Sequence, residues 1–177
     1  MRDDELERLF KLYHAPLVRY LTRRLGDRDW AEEVAQETFL RALRQDSLSS
    51  ERSWLFAVAT NLVRDHARKD ERRRRHLQLL AQEEREREQE TEPEPMDAER
   101  SRERAMARQA VDALAERDRL ALLMREEGLD YKEIAEALGL SFGSIGTTLA
   151  RARRRLAETY EALQADAGRA GGRHGTR

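Results

Sequence analysis

The amino-acid sequence predicts an all-α protein: two small helical domains joined by a flexible acidic linker, the C-terminal domain being a helix-turn-helix. Apolar residues recur at helical spacing before and after a central stretch. That stretch, 77–103, holds four Lys/Arg against ten Asp/Glu and includes Pro93 and Pro95, too polar a composition for a core. A Gly- and Arg-rich tail closes the chain and is predicted to be disordered. The predicted boundaries are 1–76, 77–103, 104–163 and 164–177.

The first predicted helix covers residues 4–25. Pro16 interrupts it, and because proline cannot donate an intrahelical hydrogen bond we expect a kink or two short helices, the second beginning at Pro16. Gly26 and Asp27 are predicted to end the segment. Its apolar face comprises Leu6, Leu9, Phe10, Tyr13, Leu17, Leu21 and Leu25.

The second predicted helix covers residues 28–45. Leu40 is its informative residue, because it lies at the centre of the polar face rather than on the apolar stripe. A single exposed leucine is ordinary, yet one surrounded by acids and an amide is also typical of a protein-binding patch. Spacing leaves both interpretations open. The core face comprises Trp30, Ala31, Val34, Ala35, Thr38 and Ala42; the polar face comprises Glu33, Gln36, Glu37, Leu40 and Arg44.

A polar loop, 45–53, precedes the third predicted helix, 52–76. Leu55, Val58, Ala59, Leu62 and His66 are predicted to point inward, with His66 a core histidine in preference to a ligand. An aromatic ring, an amide and several guanidinium groups share the other side, and such a face can stack on and hydrogen-bond single-stranded bases. A solvated basic helix end is the alternative. The residues on that side are Trp54, Asn61, Arg64, Arg68 and Arg72.

The C-terminal helix-turn-helix is predicted from residues 130–156. Asp130 and Glu133 can form a capping box, Gly139 can turn with positive φ, and Ser141 can cap a second, longer helix. Helices within 104–127 are expected to support this motif. An ordinary αα-hairpin with a solvated basic face is the alternative. The buried stripe comprises Ile145, Leu149, Ala152 and Leu156; the opposite face comprises Ser144, Thr147, Arg151 and Arg154, flanked by Thr148 and Arg155.

Composition excludes several functional classes. The chain has no cysteine, so disulfides, thiolate catalysis and zinc–sulfur sites are impossible. Its four histidines are scattered and its acids lie on predicted solvated helices or the linker, so we expect no enzyme, metal or cofactor. An apolar run of about 18 residues is lacking, and no signal peptide opens the chain, so we expect a cytoplasmic protein without membrane insertion.

Three segments resemble, in order and spacing, the extracytoplasmic-function sigma factors, the small two-domain branch of the bacterial sigma factors. AEEVAQETFL (31–40) resembles the segment that grips the polymerase clamp. SWLFAVATNLVRDHARK (53–69) is similar to the promoter-melting segment. LAERDRLALLMREEGLDYKEIAEALGLSFGSIGTTLARARRRL (114–156) resembles the promoter-reading domain.

The resemblance implies a factor that binds core RNA polymerase, through the clamp coiled coil of its largest subunit, and directs promoter-specific transcription initiation. It further implies contact with duplex and single-stranded promoter DNA, a possible anti-sigma partner, and a linker that threads toward the RNA-exit path. Loop 45–53 would help to hold the upstream-most minus-ten bases. The implied polymerase-binding residues are Glu33, Gln36, Glu37, Leu40 and Arg44; the minus-ten residues are Arg52, Trp54, Asn61, Arg64, Asp65, Arg68 and Arg72; the minus-thirty-five residues are Ser141, Ser144, Thr147, Thr148, Arg151, Arg154 and Arg155.

The chain departs from the family pattern at three positions. Thr60 stands where arginine is frequent, and Gly146 and Thr148 stand where lysine and arginine are common. Fewer charges should weaken phosphate attraction there. The alternative function is a stand-alone helix-turn-helix transcriptional regulator that does not bind polymerase.

Overall fold

The structure, a computed structural model, describes residues 3–78 and 95–171, and every regular element in these ranges is an α-helix. The predicted all-α fold is confirmed. Contacts group the chain into two compact units, one containing α1 to α3 with Leu123–Ile145, the other containing α4, the start of α5 and α7 beyond Ile145. The helices are α1 (Asp3–Leu25), α2 (Arg28–Leu43), α3 (Glu51–Gln78), α4 (Pro95–Asp112), α5 (Glu116–Glu126), α6 (Tyr131–Leu138) and α7 (Phe142–Gly171).

Helix α1 is continuous, so the predicted second helix beginning at Pro16 is wrong. Proline at this position removes the hydrogen bond to the carbonyl of Leu12, whose side chain is 52% exposed, so water can reach that part of the helix. Complete burial of Leu17 and Leu21 just beyond the proline stabilises the helix across it. Gly26 ends α1 as predicted, with φ of 76° and its N–H donating to the Thr22 carbonyl.

Small residues set the packing of α2 in the first unit. Ala31, Val34 and Ala35 are fully or almost fully buried, and α2 packs against both α1 and α3. The carboxylate of Asp27 caps the helix by accepting a hydrogen bond from the Trp30 N–H at 3.0 Å. The prediction for this core face omitted Phe39, which is 5% exposed and follows Ala35 by four residues.

A buried polar cluster connects α1 to α3. The hydroxyls of Tyr20 and Thr60 lie 2.8 Å apart, and Arg24 donates to the Thr60 carbonyl at 3.1 Å. Both partners of the hydroxyl pair are buried, so the bond satisfies groups that would otherwise be desolvated without compensation. Burial also raises the pKa of the Tyr20 hydroxyl.

Helix α6 begins and ends as its sequence predicts. The Asp130 carboxylate accepts from the Glu133 N–H and the Glu133 carboxylate accepts from the Asp130 N–H, both at 2.8 Å, which completes the capping box. Gly139 ends the helix with φ of 63°, in the left-handed region that favours glycine. Ile134 and Ala135 are buried, and α6 packs against α3 within the first unit.

The second unit is built around an apolar cluster of Leu114, Leu122 and Ala152, with Leu156 packed against it. Two predicted boundaries differ from the structure. Residues 95–103, assigned to the linker, belong to α4, which begins at Pro95, a position where a missing N–H costs nothing. Residues 164–171, assigned to the disordered tail, continue α7, whose alanines favour the helix. Linker residues 79–94 and tail residues 172–177 lie outside the described ranges.

Candidate DNA- and polymerase-binding surfaces

The polar face predicted on α2 is exposed. Glu33, Gln36 and Arg44 face solvent, and Leu40 is 54% exposed at their centre. Glu37 is half-buried and accepts a hydrogen bond from Arg41 at 2.9 Å. We call the set Glu33, Gln36, Glu37, Leu40 and Arg44 the α2 surface.

Sequence reasoning missed a second apolar residue beside Leu40. Leu43 follows it by three residues, so the two lie on one side of α2, and Leu43 is 39% exposed. The three-residue interval between Leu40 and Leu43 is visible in the sequence, but neither predicted face of α2 includes Leu43. Two leucines side by side present a larger apolar area to a partner than one exposed leucine does.

The predicted face of α3 is present as an exposed row. Trp54 is half-buried, while Asn61 and Arg68 are exposed at intervals of seven residues; these three form the α3 face. Asp65 is exposed and lies 3.8 Å from Arg68, too loose a pair to hold the guanidinium against a nucleic acid. Arg64 is half-buried, and the side chain of Arg72 lies outside the described residues.

Two neighbours of this face have structural roles. Thr60, the residue that replaces a frequent arginine, is 1% exposed and bonded to Tyr20, so it is a core residue. His66 is half-buried with its Nδ1 atom 3.5 Å from the Trp30 Nε1 atom, and the two rings are stacked. This contact agrees with the interpretation of His66 as a packing residue.

Arg52, expected from the resemblance to contact DNA, forms several contacts within the first unit. Its guanidinium donates to the carbonyl of Gly128 at 3.2 Å and to the carbonyl of Glu127. Its Nη1 atom also lies 3.7 Å from a carboxylate oxygen of Glu133. No sequence pattern predicts this contact, because the partners lie more than seventy residues away.

The basic face of α7 is partly occupied by internal contacts. Thr147, Arg154 and Arg155 are exposed, and Ser144 is half-buried with its hydroxyl donating to the Ser141 carbonyl at 2.8 Å. Helix α7 begins at Phe142, immediately after the exposed Ser141, as the predicted cap position requires. We call the exposed pair Thr147 and Arg154 the α7 face.

Two expectations for α7 are wrong. Thr148 is predicted on the exposed flank but is 4% exposed, because it follows the buried Ile145 by three residues and precedes the buried Ala152 by four, which places it on the buried side of the helix. Arg151 is predicted on the face opposite the buried stripe, where its loss should not disturb packing, yet its Nε atom donates to an Asp118 carboxylate oxygen at 2.7 Å and its Nη2 atom donates to the other oxygen. These hydrogen bonds hold the pKa of the Asp118 carboxyl below its usual value, against the opposing effect of burial.

Two further observations concern the described residues 3–78 and 95–171. Within them, no group of three or more His, Asp or Glu side chains is arranged to hold a metal ion. None of the helices in these ranges has a segment both long and apolar enough to span a bilayer.

Two protein families match this chain, one in its N-terminal part and one in its C-terminal part. Residues 9–74, which include the α2 surface and the α3 face, match the family described as Sigma-70 region 2. Residues 104–156, which include α6 and the α7 face, match the family described as Sigma-70, region 4.

Individual proteins give the same result along most of the chain. The RNA polymerase sigma factor YlaC of Bacillus subtilis is 31% identical over 158 residues, covering 86% of this chain and 90% of the relative. The ferric citrate uptake sigma factor FecI of Escherichia coli is 31% identical over 150 residues, covering 82% and 85%.

Solved structures share the fold. The sigma factor RpoE from Bartonella quintana, in complex with the anti-sigma factor NepR, is similar with a TM-score of 0.63 and 21% identity, over 89% of this chain and 97% of that chain. CnrH, in complex with the cytosolic domain of CnrY, gives a TM-score of 0.63 and 20% identity, over 91% and 90%. Both domain families occur in order, and similar relatives, among them the ECF RNA polymerase sigma factor SigC of Mycobacterium tuberculosis (31% identical over 147 residues, 81% of this chain and 73% of the relative), extend over most of their length, so this chain belongs to the extracytoplasmic-function sigma factors of the sigma-70 family.

Proposed function

We propose that this sigma factor brings core RNA polymerase to a promoter subset through three surfaces of its own. The α2 surface binds the clamp coiled coil of the largest polymerase subunit. The α3 face, with loop 45–53, captures bases of the melted minus-ten strand. The α7 face enters the major groove of the minus-thirty-five element.

The exposure of Leu40 carries the polymerase part of this proposal. Its side chain is 54% exposed, although the opposite side of the same helix is fully buried at Ala31, Ala35 and Ala42. An apolar residue at the centre of a polar rim is the arrangement in which a few anchors supply most of an interface's binding energy. Residue 40 also lies inside the segment that matches Sigma-70 region 2.

The DNA part rests on chemistry that the exposed residues provide. Trp54 offers a ring for stacking, Asn61 an amide for a base edge, and Arg68 a charge for phosphate. On α7, Arg154 is exposed on the side opposite the buried Ile145 and Leu149, and its 3.8 Å contact with Glu158 is a loose surface pair that a guanine or a phosphate can replace. We infer no groove contact for Thr148, because it is buried.

An anti-sigma protein is the further partner we infer. RpoE and CnrH share this fold; RpoE is in complex with the anti-sigma factor NepR, and CnrH is in complex with the cytosolic domain of CnrY. Such a partner could cover Leu40 of the α2 surface and the adjacent exposed Leu43, and it would then block polymerase binding at the same time.

Reconstitution tests the proposal against the stand-alone regulator. The purified chain is mixed with core RNA polymerase and fragmented genomic DNA, and the bound fragments are sequenced with and without polymerase. The proposed function requires co-purification with the core enzyme and promoter enrichment that depends on it. Enrichment of the same fragments by the chain alone, without association with polymerase, would support the regulator instead.

A further inference from the structure

Arg151 lies on the side of α7 that the proposed function turns toward the major groove. It follows Thr147 by four residues and precedes Arg154 by three, so it is placed between the two residues of the α7 face. It is also the first basic residue of α7, because residues 142–150 contain no Lys or Arg. Recognition helices contact base edges mainly through their N-terminal part, so Arg151 is better placed than Arg154 to reach a base.

The contact with Asp118 uses only one side of the Arg151 guanidinium. Its Nε and Nη2 atoms donate to the two carboxylate oxygens, the first at 2.7 Å. A guanidinium carries further N–H donors in a rigid planar fork, so the hydrogens of Nη1 and the second hydrogen of Nη2 are not used by Asp118. The Arg151 side chain is 39% exposed although the Asp118 side chain is only 2% exposed. The outer edge of the guanidinium is therefore available to a ligand.

Asp118 does not cancel the positive charge of this region. The hydrogen bonds from Arg151 lower the pKa of its carboxyl most, and the charges of Arg155 and Arg117 lower it further, so the carboxylate stays ionised at neutral pH. One carboxylate thus interacts with three guanidinium groups. A nucleic acid that approaches Arg151 meets a net positive region rather than a neutral ion pair.

The outer edge of Arg151 has the donor geometry that guanine requires. The two terminal nitrogens each carry a hydrogen directed away from the carboxylate, and O6 and N7 of guanine accept two such parallel hydrogen bonds in the major groove. A side chain that is already fixed loses less conformational freedom when it binds. The buried Asp118 carboxylate provides this fixation from within the second unit.

We propose that Asp118 is a positioning residue for sequence readout, which fixes the Arg151 guanidinium so that its outer edge donates to one guanine of the minus-thirty-five element. Arg151 contacts the base, and Asp118 acts through Arg151. This inference rests on the proposed function of the α7 face and deepens it. It assigns a base contact to a helix whose first nine residues carry no positive charge.

Replacing guanines one at a time tests this role. Holoenzyme is assembled from core polymerase and each full-length variant, and its affinity is measured for duplexes in which single guanines of the minus-thirty-five element are replaced by 7-deazaguanine, which lacks the N7 acceptor. Wild type should show one position at which the replacement weakens binding by roughly 5-fold. Arg151→Lys keeps the charge but cannot form the bidentate contact, so it should lose this position dependence.

Asp118→Asn is the decisive variant. It should weaken binding to the native duplex by roughly 2- to 10-fold, because Arg151 must then be ordered on binding, and should weaken binding to the 7-deazaguanine duplex by less. Asp112→Asn is the matched control, because Asp112 also binds an arginine, Arg108 of the same helix, at 3.1 Å and undergoes the same change in charge. The control should keep the wild-type penalty for 7-deazaguanine.

The proposal can fail in several ways. All affinities are measured below the melting temperature of every variant, so a merely structural role for Asp118 would reduce affinity for each duplex by one common factor. Such a uniform loss in Asp118→Asn, or an affinity equal to that of wild type, would overturn the proposal. So would a wild type that is insensitive to 7-deazaguanine at every position, or a position dependence that survives in Arg151→Lys.

A measurement on the wild-type chain guards against variants that do not fold. The Nε–H of Arg151 should exchange with solvent clearly more slowly than that of the exposed Arg154, because the Asp118 carboxylate accepts a hydrogen bond from it. Heteronuclear NMR of the full chain compares the two rates, and equal rates would overturn the proposal. If wild-type holoenzyme did not bind the minus-thirty-five duplex at all, the proposed function itself would be refuted, so the two failures are distinguishable.

Discussion

The carboxylate of Asp118 accepts two hydrogen bonds from the guanidinium of Arg151 and thereby joins α5 to α7 in the second unit. The pair is asymmetric, because the Asp118 side chain is 2% exposed and that of Arg151 is 39% exposed. A buried carboxylate depends on its partner for compensation, whereas a half-exposed guanidinium retains access to water. Arg151 is therefore needed for the fold of the domain whatever it contributes to DNA binding.

We first predict that Arg151→Ala lowers the melting temperature clearly more than Arg154→Ala does. Removing Arg151 leaves the Asp118 carboxylate buried without its partner. Arg154 is exposed, and its loss should change the free energy of unfolding by less than about 0.5 kcal/mol. Thermal unfolding followed by circular dichroism makes the comparison. Equal melting temperatures for the two variants would contradict a structural role for the pair.

Acid should remove the contribution of the Asp118–Arg151 pair to the free energy of unfolding. The pKa of Asp118 is depressed in the folded state below its ordinary value of 3.8, so the unfolded chain binds more protons as pH falls through that range. The stabilisation is complete at pH values above the pKa that Asp118 has in the unfolded chain. It is lost as the pH falls through the lower pKa that Asp118 has in the folded protein. Urea unfolding of wild type and Asp118→Asn should therefore show a stability difference that is constant above about pH 5 and narrows below about pH 4. A difference that widens on acidification would reverse the assigned sign.

Local chemistry explains which features could be predicted from sequence. The Asp130–Glu133 capping box and the left-handed turn at Gly139 depend on residues no more than four positions apart, and the structure contains both. The buried stripe of Ile145, Leu149 and Ala152 follows from helical periodicity in the same way. The resemblance to a known family added the order of the two domains, which the family matches confirm.

The contacts that the sequence did not predict join residues that lie far apart in the chain. Arg151 has the spacing of an exposed residue, and the buried carboxylate that it binds, Asp118, lies thirty-three positions earlier. Arg52 likewise bonds to the carbonyls of Glu127 and Gly128, which a helical wheel cannot reveal. The composition of residues 77–103 and 164–177 also led to a prediction of too little helix, since α4 begins at Pro95 and α7 continues to Gly171. Low apolar content argues against a core but does not prevent an exposed helix.

Leu40→Asp should weaken binding to core polymerase without affecting the fold. Loss of a central apolar anchor costs about 2 kcal/mol or more, roughly a 30-fold change in affinity. Leu12→Asp is the matched control, because Leu12 is 52% exposed on α1 and undergoes the same substitution. Both variants should melt like the wild type, and affinity for labelled core polymerase is then compared. If both substitutions, or neither, reduce affinity, Leu40 is not the centre of the interface.

Arg154→Ala distinguishes two modes of duplex binding. If the guanidinium binds phosphate, affinity should fall for all sequences and the salt slope should decrease by about one. If it reads a guanine, the loss should be about 1–3 kcal/mol and confined to one base position. A salt titration of the full chain with polymerase on matched and mismatched minus-thirty-five duplexes separates the two. Wild-type affinity under all these conditions would exclude a groove-facing role for Arg154.

Asn61→Ala should impair promoter opening while leaving earlier steps intact. Capturing a base must offset an unstacking and unpairing cost of a few kcal/mol, and an exposed amide can do so by satisfying one base edge. The substitution leaves the α2 surface and the α7 face unchanged, so polymerase binding and closed-complex formation should match the wild type. Permanganate reactivity of minus-ten thymines should be lost.

Arg68→Ala provides the contrast that identifies the role of the amide. Arg68 lies seven residues after Asn61 on the same exposed face, but its charge acts mainly through phosphate attraction. Lowering the salt concentration should therefore partly restore opening to Arg68→Ala and should not restore it to Asn61→Ala, since a missing hydrogen bond is insensitive to screening. Opening by Asn61→Ala at the wild-type rate, with the same base preference, would make Asn61 an ordinary surface residue and would move the base-capture site elsewhere.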